Sequence, residues 1–230
     1  MPSLYDKKFY SKARSLLKSG KLSQLDFDVL PDICKAIDDA FFNGTTLATF
    51  RNQVEPILKD KGWLKKIEDM YIDAMYHLET IFRTNLGLSY ASGHYKQQIE
   101  SADTHPYWQY NALLDSRTRP AHSALNGKVF RYDDPFWDTM YPPNGYRCRC
   151  SVRTFTEKQV NDRGLKVESG TDNMVWEDNK AAGYKDPTTG DVIFTDPGWS
   201  WNPGKSDLSG HIIDHVLCYG VEPQFIPNRL

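Results

Sequence analysis

The chain has 230 residues, 40% of them hydrophobic, and a formal net charge of -2. That length suits one domain or two small ones, and the near-neutral charge argues against a DNA-coating role while leaving room for a local basic patch. No apolar run reaches the length of a membrane span, and the first residues lack the charged-then-apolar order of a signal peptide.

Tyr5, Phe9 and Tyr10 stand among Lys7, Lys8, Lys12, Arg14 and Lys18. They predict a short basic amphipathic helix, read either as a contact for DNA or a partner or as a solvated terminal arm. From Leu22 to Phe42 the spacing is helical, with Leu25, Val29, Ile33, Ala36, Ile37 and Ala40 recurring at three and four residues. Pro31 is expected near the start of that helix, with Asp28 as its cap, and Asn43-Gly44 at its end. Thr45-Thr46 opens the next helix, carrying Leu47, Phe50, Val54, Ile57 and Leu58. Pro56 is expected to interrupt it and Gly62-Trp63 to end it. Residues 64 to 101 predict the longest helix, striped by Ile67, Met70, Tyr71, Ala74, Leu78, Ile81 and Phe82. Gly87 and Gly93 weaken its second half, where a bend is expected. Arg83 and Asn85 lie close to its apolar face. They read as a buried hydrogen-bond network fastening the helices to the next domain, with ligand binding as the alternative.

Near Ser101 the composition shifts, and Pro, Gly, Asp, Trp and Tyr replace the helical stripe. Residues 107 to 114, 128 to 132 and 148 to 155 read as strands. Residues 188 to 195 read as a hairpin around Gly190-Asp191 or a turn feeding a strand, and residues 209 to 219 as a short helix. The expected fold is α+β: an N-terminal helical region over residues 1 to 101, then a compact module of short strands over residues 102 to 230. The aromatic share of 13%, with 6 Trp and 13 Tyr, suits interfaces as well as a core.

The densest chemistry lies between Asp115 and Val152, in DSRTRPAHSALNGKVFRYDDPFWDTMYPPNGYRCRCSV. Four Cys are too few for a disulfide scaffold in a chain of this size. In a reducing cytosol, the expected compartment, Cys148 and Cys150 stay thiols unless a metal holds them. On a strand the two project to one face, and a disulfide between them would close a small strained ring. A structural zinc would take both, with His122 as third ligand and Asp115 as a weaker fourth. His211 and His215, four apart, form a rival pair on one helix face. The alternative is that the Cys pack as small hydrophobes while His122 hydrogen-bonds an Asp or a carbonyl. Asp115, Arg117 and Arg119 read as a salt-bridge network fixing the loop. Asp133-Asp134 reads as a turn beside Pro135, and Trp199 and Trp201 as core or interface. No dinucleotide fingerprint, P-loop, zincin helix or nucleophile elbow is present.

These blocks carry a resemblance. Arg117-Thr118-Arg119-Pro120 with His122, Asn126-Gly127-Lys128-Val129-Phe130, Asp134-Pro135-Phe136-Trp137 and Pro142-Pro143-Asn144-Gly145-Tyr146-Arg147-Cys148-Arg149-Cys150 resemble the signature of the phage Mu F-like head morphogenesis family. Phe82-Arg83-Thr84-Asn85 and Tyr90-Ala91-Ser92-Gly93 extend the match upstream, and Asn202-Pro203-Gly204 downstream, over roughly residues 40 to 204. The resemblance implies a non-enzymatic minor capsid protein of a tailed phage or prophage. It would sit inside the head near the portal vertex, in the host cytoplasm during assembly, and aid DNA packaging or ejection. The implied partners are the portal, scaffold or major capsid protein, with contact to packaged DNA and none to a membrane; the helical region would dock on portal or scaffold. Relatives within toxins, and a likeness to small ribonuclease folds, imply an alternative effector enzyme. In it His122 would be the general base and Arg117 or Arg119 the cation facing the phosphorane.

Overall fold

The computed structural model describes residue 5 and residues 7–64, 71–177 and 180–205, with backbone alone at 71–75 and 180. The chain divides into two units, the first reaching Leu86 and the second beginning at Gly87. Among the described residues no helix is long and apolar enough to cross a membrane.

The first unit is helical. Helix α1 spans Lys7–Lys18 and buries Phe9 and Ala13, with the Tyr5 and Phe9 rings 5.0 Å apart. The N-terminal segment is thus anchored by an apolar face. Helix α2 spans Gln24–Asn43. Ser23, not Asp28, is its cap, accepting from the Asp26 amide, and Gly44 ends it at φ 66° in left-handed backbone. Pro31 lies inside α2, contrary to expectation. A mid-helix proline costs roughly 3 kcal/mol. Here it faces solvent, while Val29, Leu30, Ile33, Cys34, Ala36, Ile37 and Ala40 are buried on both sides of it. Burying one large apolar side chain contributes about 1.5–3 kcal/mol, so the stripe outweighs the lost bond. The Lys61 ammonium donates to the nearby Asp28 carbonyl at 2.7 Å. Helix α3, Leu47–Asp60, repeats the pattern. Thr46 caps it, Pro56 lies inside without breaking it, and Phe50, Val54 and Leu58 are buried.

Helix α4 runs without a break from Tyr71 to Glu100. Up to Leu86 it belongs to the first unit, where Phe82 meets Phe50 at 5.0 Å between rings and Glu79 pairs with Arg51 at 3.0 Å. The Asn85 amide donates to the Ile81 carbonyl at 2.7 Å and accepts from the Tyr5 hydroxyl at 3.3 Å. Arg83 is half exposed and pairs with Glu79 one turn back. Asn85 is therefore a fastener within the helical unit, and Arg83 a surface partner.

The second unit begins with the last turns of α4, whose Ala91 and Tyr95 enter its core. Strand β1, Tyr107–Asn111, is the centre of an antiparallel sheet. It lies between β2, Val129–Arg131, and β3, Ser151–Phe155, with Trp108 opposite Phe130 and Tyr110 opposite Val152. Period-two alternation sends Trp108 and Tyr110 inward. The strand stops short of the expected 114 because the Asn126 side chain, not a partner strand, accepts from the Ala112 amide at 2.9 Å. Helices α5, Pro120–Ala124, α6, Phe136–Met140, and α7, Glu157–Asp162, are short. A second antiparallel sheet orders β4, Met174–Glu177, β5, Lys180–Lys185, and β6, Val192–Phe194. Only the last was expected from sequence. The core joins residues of both sheets and α6 into one aromatic cluster, including Phe130 and Phe136 stacked at 3.9 Å. Trp199 and Trp201 are buried. The helix expected at 209 to 219 lies outside the described residues. The fold is α+β, as the sequence predicts.

Candidate functional site

The site is built where three loops meet. Arg119 holds extended backbone (φ -61°, ψ 144°) and Pro120 occupies the first turn of α5, a position where its missing N–H costs nothing. One turn on, His122 points inward and is 3% exposed. The second loop, Pro142 to Cys150, carries a cis Pro142-Pro143 bond and places Arg147 at φ 57°, backbone that L-residues rarely adopt. That kink delays β3 until Ser151, so Cys148 and Cys150 sit in the approach to the strand, which corrects the expectation of a strand over 148 to 155 that carries both. The third segment, Asp196 to Gly204, closes over them: the Trp199 ring meets Tyr146 edge-on at 5.1 Å.

The three soft donors converge. Nδ1 of His122 is 3.6 Å from Cys148 Sγ and 3.7 Å from Cys150 Sγ, and all three ligand atoms lie within 4.8 Å of one another. Both Cys are free thiols. Tyr110 and Leu113 are the neighbours whose polar groups act on the Cys150 thiol. Tyr110 is itself held by the Asn144 amide at 3.2 Å, which also reaches the Met140 carbonyl at 3.1 Å. The Cys148 thiol beside it, with Tyr110, Leu113 and the Arg119 charge, brings Cys150 down to about 7 against the opposing effect of burial. Cys148 moves up, because it shares its proton with Cys150 and is buried. Nε2 of His122 is buried without a hydrogen-bond partner.

Asp115 is not part of this group. Its carboxylate grips the Arg149 guanidinium bidentately, at 2.7 and 2.6 Å, and accepts from the Arg117 amide at 3.0 Å. Those bonds, Arg149 first, hold its carboxyl well below the usual carboxylate range. Arg149 thus turns outward to Asp115 while the Cys on either side turn to His122. Arg119 donates to the Tyr146 carbonyl at 2.9 Å and pairs with Asp196 at 3.0 Å. It ties all three segments together. Gly145 abuts the same carboxylate: a Cβ there would lie 2.2 Å from Asp196 Oδ2.

The arrangement does not gather the catalytic set of the enzyme alternative on one open surface. His122 is enclosed, Arg119 is engaged by Tyr146 and Asp196, and the Arg117 side chain is 78% exposed beside Asp115. Asp133 and Asp134 form the expected turn, with Asp134 accepting from the Phe136 and Gly170 amides. His211 and His215 lie outside the described residues. Sequence reasoning missed Tyr110, Leu113 and Asp196. Asn144 stood within a quoted motif, but the others carry no local signal, because tertiary approach alone gives them their roles. A separate shallow cleft of about 430 Å³ is lined by His94, Gln98, Val152, Arg153, Thr154, Phe155, Gln159 and Arg163.

Comparison with known proteins places this geometry in context. Residues 31–153 match the family described as Phage Mu protein F like protein. The chain is similar to the Mu-like prophage FluMu F protein of Haemophilus influenzae, 40% identical over 196 residues, covering 78% of this chain and 47% of that protein. It is also similar to the putative capsid assembly protein F of Escherichia phage Mu, 35% identical over 202 residues, covering 78% of this chain and 46% of that protein. The chain spans about half the length of these curated relatives. No solved structure matches.

Proposed function

Because the chain belongs to the Phage Mu protein F like family, we propose that it acts as a minor capsid protein in phage head assembly, working by binding and not by turnover. The observation that carries this reading is how the motif residues are used. Asp115, Arg119, Asn144, Arg149 and Asn202 all make bonds inside the unit. Such a network stiffens the loops that carry it.

The finer reading is that the protein stands at the portal vertex. Its support is the kind of surface exposed by the second sheet. Val192 and Phe194, two apart on β6, are 42% and 48% exposed, and Trp176 on β4 is 55% exposed. Exposed aromatic and aliphatic side chains suit a protein contact. Arg153, Arg163 and His94, lining a cleft with no carboxylate in its wall, suit contact with packaged DNA.

A deletion–complementation experiment in the source phage or prophage tests the function. Loss of the gene is expected to lower the yield of DNA-filled heads, and the wild-type gene to restore it. Phe194→Glu with Trp176→Glu should fail to restore it while the purified variant melts as the wild type does. Normal heads without the gene would contradict the proposal.

A further inference from the structure

We propose that His122, Cys148 and Cys150 form a structural site for a soft divalent cation of the zinc class, bound through one imidazole nitrogen and two thiolates. The spacing is the first argument. Zinc takes sulfur at about 2.3 Å and nitrogen at about 2.0–2.1 Å in tetrahedral geometry, so its nitrogen–sulfur edges are about 3.6 Å. The two Nδ1–Sγ separations are 3.6 and 3.7 Å. Both nitrogen–sulfur edges thus already have the length a bound cation needs, and the third, sulfur–sulfur edge is within 4.8 Å.

The donor chemistry is the second argument. Two thiols and an imidazole select zinc over magnesium or calcium, which prefer oxygen. The carboxylate nearest in sequence, Asp115, is committed to Arg149. Two thiolates balance a divalent charge, which removes the cost of burying it alone.

The surroundings are the third. Ligating thiolates are oriented by outer hydrogen bonds, conserved in role as much as the ligands themselves. The polar groups beside Cys150 are those of Tyr110 and Leu113, and the Tyr110 hydroxyl is itself fixed by Asn144 at 3.2 Å. The site would clip α5 to the loop entering β3, joining His122 and Cys148, which are 26 positions apart in the chain. Among the described residues these three are the ligands, which leaves one tetrahedral position to be filled.

The test uses the full chain purified without a metal-affinity tag. One zinc per chain is expected by elemental analysis. Cobalt(II) replacement should give the intense visible bands of a tetrahedral site and a near-ultraviolet thiolate band. Chelation should lower the melting temperature and make Cys148 and Cys150 react faster with a thiol reagent. Cys148→Ser should abolish the thiolate band's full intensity and weaken zinc binding, whereas Cys34→Ser should leave both unchanged. Tyr110→Phe, as a positioning change, should weaken zinc about 10-fold with the cobalt spectrum retained. Should the ligand variants fail to fold, chelator and cobalt titration of the wild-type chain decides alone. Less than one metal in ten chains after incubation with excess zinc, no cobalt bands, or a full cobalt spectrum in Cys148→Ser would overturn the proposal.

Discussion

Lys128 is 9% exposed between Glu168, at 3.3 Å, and Asp186, at 3.1 Å. Tyr184 donates its hydroxyl to Glu168 and offers its ring to the same ammonium at 5.4 Å. Removing the one cation leaves two enclosed carboxylates without it. Lys128→Met should therefore destabilise the second unit by about 3–5 kcal/mol, read by urea denaturation; a change below about 1 kcal/mol would refute the account of this cluster. Asp115 gives a pH prediction. Its folded carboxyl lies below the usual range because Arg149 grips it. A depressed folded value contributes stability that is present above the unfolded value, about 3.9, and lost as pH falls through the folded one. Acid titration of the melting temperature should show a shallower fall below about pH 3.9 in Asp115→Asn than in the wild type. Identical slopes would mean that the pair contributes nothing, the usual outcome for a well-solvated ion pair.

At the scale of elements, local signals were legible and long-range ones were not. The three-and-four spacing located α2 and α3, yet Pro31 and Pro56 misled the reading of their course, since local propensity says nothing of how much apolar surface a helix buries. Pro31→Ala should accordingly raise stability, by up to about 3 kcal/mol, in thermal or urea melts; a fall would show that the ring itself packs. The strands β4 and β5 are not legible locally because MVWE and KAAGYK carry little alternation; β4 is defined by its pairing with β5, and β5 by lying between β4 and β6. In the site, His122, Cys148 and Cys150 were nameable from sequence by residue type. Their convergence depends on the Arg147 kink and on Arg119, and Asp196 enters only because Gly145 lets it approach. Gly145→Ala would force Asp196 away. It should cost about 1–3 kcal/mol, and less in an Asp196→Ala background, by double-mutant cycle. Equal costs in both backgrounds would separate the two residues.

For the whole molecule, the chain pairs a helical unit with an α+β unit whose signature residues mostly bond to one another. It spans about half the length of the relatives it matches, so the work of their remaining lengths is no part of this structure. The structure supplies a bonded signature network in the second unit, exposed apolar side chains on its second sheet, and a convergence of His122, Cys148 and Cys150 among its signature loops. Those properties suit a component that docks and holds its shape. The most direct measurement is quantitative mass spectrometry of purified, DNA-filled particles from the source phage or prophage. The account predicts a few to about a dozen copies per particle, scaling with the portal and not with the major capsid protein, in line with a closed cyclic assembly. Complete absence of the protein from filled particles would contradict it.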